Sequence, residues 1–309
     1  MSSAAGLLGI LLCLPARAQS VPAKPSVLDA KLKAAYVSFI TAKAASNPAA
    51  KEISRFYAAH PELDMRFPDA QEFTAYAGPQ TPPLELIRAY FDPRLEVIVV
   101  PRTEELEGMT AETMPGGAAL AALLSIRAND ILHESFHARL DKALGFKIVN
   151  IMEDELLANW KEALYLAKER PSSPELARAA DDELKIDELK SAGVPPDKRA
   201  AIERKEQGYA EAFGADQLDA AVKVARLEHG ASYFKRSINA LYAGAGLGRP
   251  SVFSPRPTVE AALRRELSRP DLSENAKEAL LVQLSFWSRP ERVEKARAYF
   301  RAAITNLCP

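Results

Sequence analysis

His133, Glu134 and His137 have the types and spacing for metal-assisted chemistry, in the run Asn129-Asp130-Ile131-Leu132-His133-Glu134-Ser135-Phe136-His137-Ala138-Arg139-Leu140. A helix repeats every ~3.6 residues, so side chains four apart share a face and two imidazole nitrogens can be aimed at one cation. Glu134, one residue round from His133, can hold a carboxylate beside a metal-bound water. Zinc ligated in this way brings the pKa of its water towards ~7, and an adjacent Glu accepts the proton as that water attacks a carbonyl. The pattern therefore points to hydrolysis. The chain has only four histidines, at 60, 133, 137 and 229, and two of them fall at this spacing with Glu in the required place.

The chemistry requires the pattern to lie on a helix. Upstream, residues 118–126 form an Ala- and Leu-rich run without Pro or Gly, which predicts a long and largely buried helix entering the motif. Gly116-Gly117 marks its expected start and Gly145 its expected stop. A catalytic zinc usually takes three protein ligands and leaves a fourth position for water. The third is sought on the next helix, which opens near Ile151 and runs to about Arg170. Glu155 is the first choice, 18 residues beyond His137, enough chain for a helix to end, turn and return antiparallel. Glu153 is held in reserve. Asn159, one turn after Glu155, is a candidate to hydrogen-bond and orient a ligating imidazole.

The combination of His133-Glu134-Ser135-Phe136-His137 with Glu155-Leu156-Leu157-Ala158-Asn159 resembles the gluzincin branch of the zincin-like metallopeptidases. That resemblance covers about residues 95–165. It implies zinc as cofactor, with His133, His137 and Glu155 as ligands and Glu134 as the general base. It also implies a zincin-like core of short sheet, active-site helix and ligand helix, in which an edge strand near residues 95–110 borders the cleft and pairs with extended substrate. The metzincin branch is disfavoured, because Leu140 and Ala143 stand where its motif wants Gly and a third His.

Composition sets the surroundings. The segment 4–15 is apolar but short for a membrane span, and Ala16-Arg17-Ala18 follows with small residues where a signal peptidase reads them. Cleavage after Ala18 is expected, giving a secreted or periplasmic protein with no stable membrane span. Cys13 would be lost with that segment, leaving Cys308 alone, so no intrachain disulfide supports the mature fold. The hydrophobic share of 48% can supply a sizeable core instead. Net charge is −1, or −2 once Arg17 is removed, which gives no electrostatic case for nucleic acid or an anionic membrane.

Four regions are expected: a signal peptide at 1–18, an N-terminal helical region at 19–83, the zincin-like metal-binding core at 84–170 and a C-terminal helical region at 171–309. The fold class is mainly α with a small β element. Residues 26–77 have helical periodicity, punctuated at Asn47-Pro48 and stopped at His60-Pro61; His60 is read as a surface or capping residue. The β-branched run 95–101 is the best strand, a buried strand without substrate contact being as well supported as an edge at the cleft. Residues 102–117 read as a loop able to cover the site. Beyond residue 170, helices are expected at 175–191, 198–213, 215–241, 259–268, 273–287 and 290–305. His229, Tyr233 and Tyr242 are candidate donors to a tetrahedral oxyanion, though an ordinary surface or helix-terminal role suits His229 better.

Together these features predict a zinc-dependent metallopeptidase acting on a peptide or protein substrate. The alternative is a non-enzymatic helical binding protein with a structural or vestigial zinc site. A carboxylate-bridged di-iron protein would need a second Glu-x-x-His on another helix, and no other His has Glu three residues before it.

Overall fold

Local signals and long-range contacts coincide at the first helix of the computed structural model. The structure describes residues 25–77, 89–93, 95–102, 106–148, 151–169, 172–173, 250, 252–270, 272 and 274–305. Helix α1 (Val27–Lys43) begins with a capping box: the Ser26 hydroxyl accepts from Asp29 N, and Ser26 N donates to the Asp29 carboxylate. The other oxygen of Asp29 accepts from Phe67 N at 2.7 Å, fastening the helix start to the chain just after the first strand. Asn47 caps α2 (Pro48–Ala59) by accepting from Ala49 N and Ala50 N, with Pro48 at the first helical position. His60 caps the end of α2, and its Nδ1 lies 3.1 Å from Glu62.

The region 26–77 is not continuously helical. Strand β1 (Asp64–Arg66) interrupts it before α3 (Ala70–Ala77). Met65, buried at this break, fits either a helix or a strand locally, and pairing with a distant strand decides the matter. With β2 (Tyr90–Asp92) and β3 (Val97–Val99), β1 forms a three-stranded sheet of order β1-β3-β2. β1 runs parallel to β3 with Met65 opposite Ile98, and β2 runs antiparallel to it with Phe91 opposite Ile98. The Val-Ile-Val run of β3 is buried throughout because it is the central strand. The edge on the helix side is therefore β2, and the expectation of an edge strand beginning at residue 95 is corrected.

Helix α4 (Gly117–Leu144) carries the motif in 28 residues, from Gly116 as N-cap to Gly145, whose φ of 71° closes it in the left-handed conformation. Helix α5 (Met152–Glu169) follows. The contacts Asn129 to Glu162 and His137 to Asp154 run in opposite order along the two helices, so α5 returns antiparallel to α4. Three more helices are described: α6 (Arg256–Leu267), α7 (Glu274–Trp287) and α8 (Pro290–Thr305). They agree closely with the last three helices expected from periodicity.

Apolar side chains gather into two clusters. The first joins α1, α2, the sheet, much of α4 and the later part of α5, around Tyr36, Ile53, Ile98, Leu132 and Tyr165. The second joins the end of α4 to α6, α7 and α8, around Leu144, Ile151, Trp287 and Phe300. The architecture is mainly helical with one small mixed sheet, and among the described residues no helix is long and apolar enough to cross a membrane. The expected signal peptide at 1–18, Cys308, and the expected helices at 175–191, 198–213 and 215–241 lie outside the described residues.

Candidate metal centre

His133 and His137 are four positions apart on α4, about one helical turn, and the two rings stand edge to face with centroids 4.9 Å apart. Their Nε2 atoms face each other at 3.1 Å. Nitrogens each about 2.0–2.1 Å from one tetrahedral zinc lie about 3.3 Å apart, so this spacing is close to that of two imidazoles sharing an ion. Glu134 completes a group whose ligand atoms all lie within 4.8 Å of one another. His137 is buried whereas His133 and Glu134 are half-buried.

The far nitrogen of each ring faces an acid from α5. Glu162 Oε2 lies 2.9 Å from His133 Nδ1, and its other oxygen accepts from Asn129 Nδ2 at 3.0 Å. Asp154 Oδ1 lies 2.8 Å from His137 Nδ1, but off the line of a ring N–H, so the contact is a close approach rather than an aligned hydrogen bond. Carboxylates behind imidazoles are the usual outer partners of metal-ligating histidines. Two ring nitrogens turned towards one point, each ring backed by an acid, fit a shared divalent cation.

Glu134 reaches out of the helix to the sheet. Its Oε2 accepts from Phe91 N at 2.7 Å, so the carboxylate is held by the main chain of β2 beside the two imidazoles. Behind the motif, Ser135 turns away from the site: its hydroxyl bonds Tyr57 OH at 2.7 Å and donates to the carbonyl of Ile131. Phe136 and Ala138 enter the first apolar cluster. From His133 to Ala138, then, the helix presents candidate ligands to one side and anchors to the other, as its 3.6-residue period requires.

Beyond His137, Asp141 lies one further turn along α4. Its carboxyl is pushed up to about 8, mainly by burial and also by the Asp154 charge, against the hydrogen bond it accepts from Ile148 N at 2.8 Å. The carboxyl near the end of α4 is thus held largely protonated near neutrality.

The structure brings together His133, Glu134 and His137. Glu155 belongs to α5, seven residues before Glu162 and so two turns from it, but its side chain and that of Asn159 lie outside the described residues. Glu153 turns elsewhere: its Oε2 accepts from Val252 N at 2.8 Å within the second cluster, which corrects its reserve place among the ligands. His229, Tyr233 and Tyr242 lie outside the described residues. Sequence reasoning missed Glu162, Asp154 and the Phe91 amide. Spacing offered a signal for the first, since Glu162 follows Glu155 by seven residues and shares its stripe on a helix. No sequence signal announces a backbone amide from another element.

No protein-family profile matches the chain, and neither the curated proteins nor the solved structures provided a significant match. The class defined by fold and site is therefore a mainly helical protein with a small sheet and a His-Glu-x-x-His group able to hold a metal ion.

Proposed function

We propose that the protein is an exported zinc-dependent metallopeptidase of the gluzincin type, hydrolysing a peptide bond in a peptide or protein substrate. The observation that carries this reading is the pair of Nε2 atoms 3.1 Å apart with the Glu134 carboxylate beside them. His133 and His137 would hold the ion, with Glu155 as the proposed third ligand from α5. A zinc ion so bound would supply a Lewis acid for the scissile carbonyl and an acidified water as nucleophile. Glu134 would take the proton from the attacking water and deliver it to the leaving amine. The Phe91 amide aims that carboxylate beside the two imidazoles. Export rests on the leader-like segment ending at Ala18.

A structural metal centre in a helical binding protein is the second reading. It is favoured by the closeness of Glu134 to both imidazoles, which would let that carboxylate ligate the ion and close the site. Substituting Glu134→Gln separates the two. A general base predicts that the variant retains stoichiometric zinc and loses cleavage of a peptide library by at least about a hundredfold, the scale of acid–base catalysis. Equal cleavage by both proteins removes Glu134 from the reaction, and sharply weakened zinc binding assigns it to the metal.

A further inference from the structure

We infer that Glu162 is a positioning residue of the metal centre: clamped by Asn129, it sets which nitrogen of His133 carries hydrogen and thereby turns the other towards the ion. This inference rests on the metal-binding reading above. The family resemblance places Asn159, four residues after the proposed ligand, as the partner of an imidazole; the described geometry gives that work at His133 to Glu162.

Glu162 is only 2% exposed, and a buried carboxylate is unfavourable unless donors meet its oxygens. Oε1 receives Asn129 Nδ2 at 3.0 Å, and Oε2 faces His133 Nδ1 at 2.9 Å. Were Nδ1 the bare nitrogen, its lone pair would oppose the carboxylate at that distance and Oε2 would lose this donor. The hydrogen therefore belongs on Nδ1, and the Nε2 lone pair is directed at the point that His137 Nε2 also faces, 3.1 Å away.

Asn129 and His133 are one turn apart on α4, so a single carboxylate bridging them fixes the ring plane as well as its tautomer. At the second imidazole, Asp154 lies close to Nδ1 but off the N–H direction, so the better-aligned control is exerted on His133. A carboxylate behind an imidazole also strengthens that ring's hold on a cation.

The test uses the full chain and zinc alone, with affinity measured by competition against a chromophoric chelator. Glu162→Gln should weaken zinc binding about 10- to 100-fold, the usual effect of losing such a partner, with helix content retained. Asn129→Ala should cause a smaller loss in the same direction. Nitrogen-15 NMR of the metal-free wild type should find His133 in the Nδ1–H form, a readout that does not require the variants to fold. Unchanged affinity in a folded Glu162→Gln variant, or an Nε2–H form of His133 in the wild type, overturns the inference. A wild-type chain that shows the Nδ1–H form yet binds no zinc would remove the peptidase reading while leaving Glu162 in control of the ring.

Discussion

The two apolar clusters meet along α4 and α5 but are held by different kinds of contact. In the first, side chains bond across the core: Tyr57 meets Ser135, Asn47 reaches both the carbonyl of Tyr165 and Glu169, and Lys43 closes on Glu169 at 2.7 Å. In the second, side chains fasten loops and helix ends by their main chain. Glu153 takes Val252 N, Arg297 donates to the carbonyls of Val252 and Ser254, and Lys295 donates to the carbonyl of Leu144. The motif lies at the changeover, with Phe136 and Ala138 in the first cluster and Leu140 and Leu144 in the second. The helix that bears the two imidazoles is therefore packed by both cores.

The largest expected effect comes from the second core. Trp287 is fully buried there, and Trp287→Ala should destabilise the protein by about 3–5 kcal/mol, as large-to-small core substitutions do. Because the clusters share two helices, denaturation followed by circular dichroism and by metal release should give one transition. Two transitions, with zinc retained after the first, would separate the cores. Asn47→Ala tests the first core: it removes a helix cap and one of the donors to the buried Glu169 carboxylate, which keeps Lys43, so a loss of about 2 kcal/mol is expected in urea titration.

Asp141 sharpens the comparison at the seam. Its folded pKa of about 8 lies above the ordinary value of 3.8, so the folded state binds the extra proton between them. The associated stability is complete below about pH 4 and declines as pH rises through about 8. In Asp141→Asn an amide oxygen can still accept from Ile148 N, while the charge is gone. Relative to wild type, the metal-free variant should therefore gain stability as pH rises from 5 towards about 8 and gain little more by pH 9. A constant difference across that range would show that Asp141 is already ionised. The smallest effect is expected from Tyr57→Phe, about 1 kcal/mol, because Ser135 keeps its bond to the Ile131 carbonyl. Zinc affinity should stay within about twofold; a larger change would mean that the first core positions the imidazoles as well as supporting their helix.

Much of this was legible from residue spacing. Asn47-Pro48, Gly116 and Gly145 act within a few residues of themselves, so the helix limits they mark agree with the structure. The four-residue interval between His133 and His137 ensures a common face on any helix. The strand at 64–66 escaped because three residues carry too short a pattern, and its pairing partner lies about thirty residues further on. The same limit hid the centre of the sheet: Val97, Ile98 and Val99 announce a buried strand, but not that β2 would take the outer edge and aim an amide at Glu134.

Sequence alone thus determined the helix that bears the histidines and the chemistry those side chains can perform, since both follow from local periodicity and residue type. Tertiary structure decided which acids stand behind the rings. Glu153, Asp154 and Glu162 belong to one helix and look alike along the chain, yet one joins the second core and the other two face imidazoles. The antiparallel docking of α5 on α4 and the packing of the Val252 segment against α5 separate them, because a carboxylate's role is set by the donor within hydrogen-bonding reach.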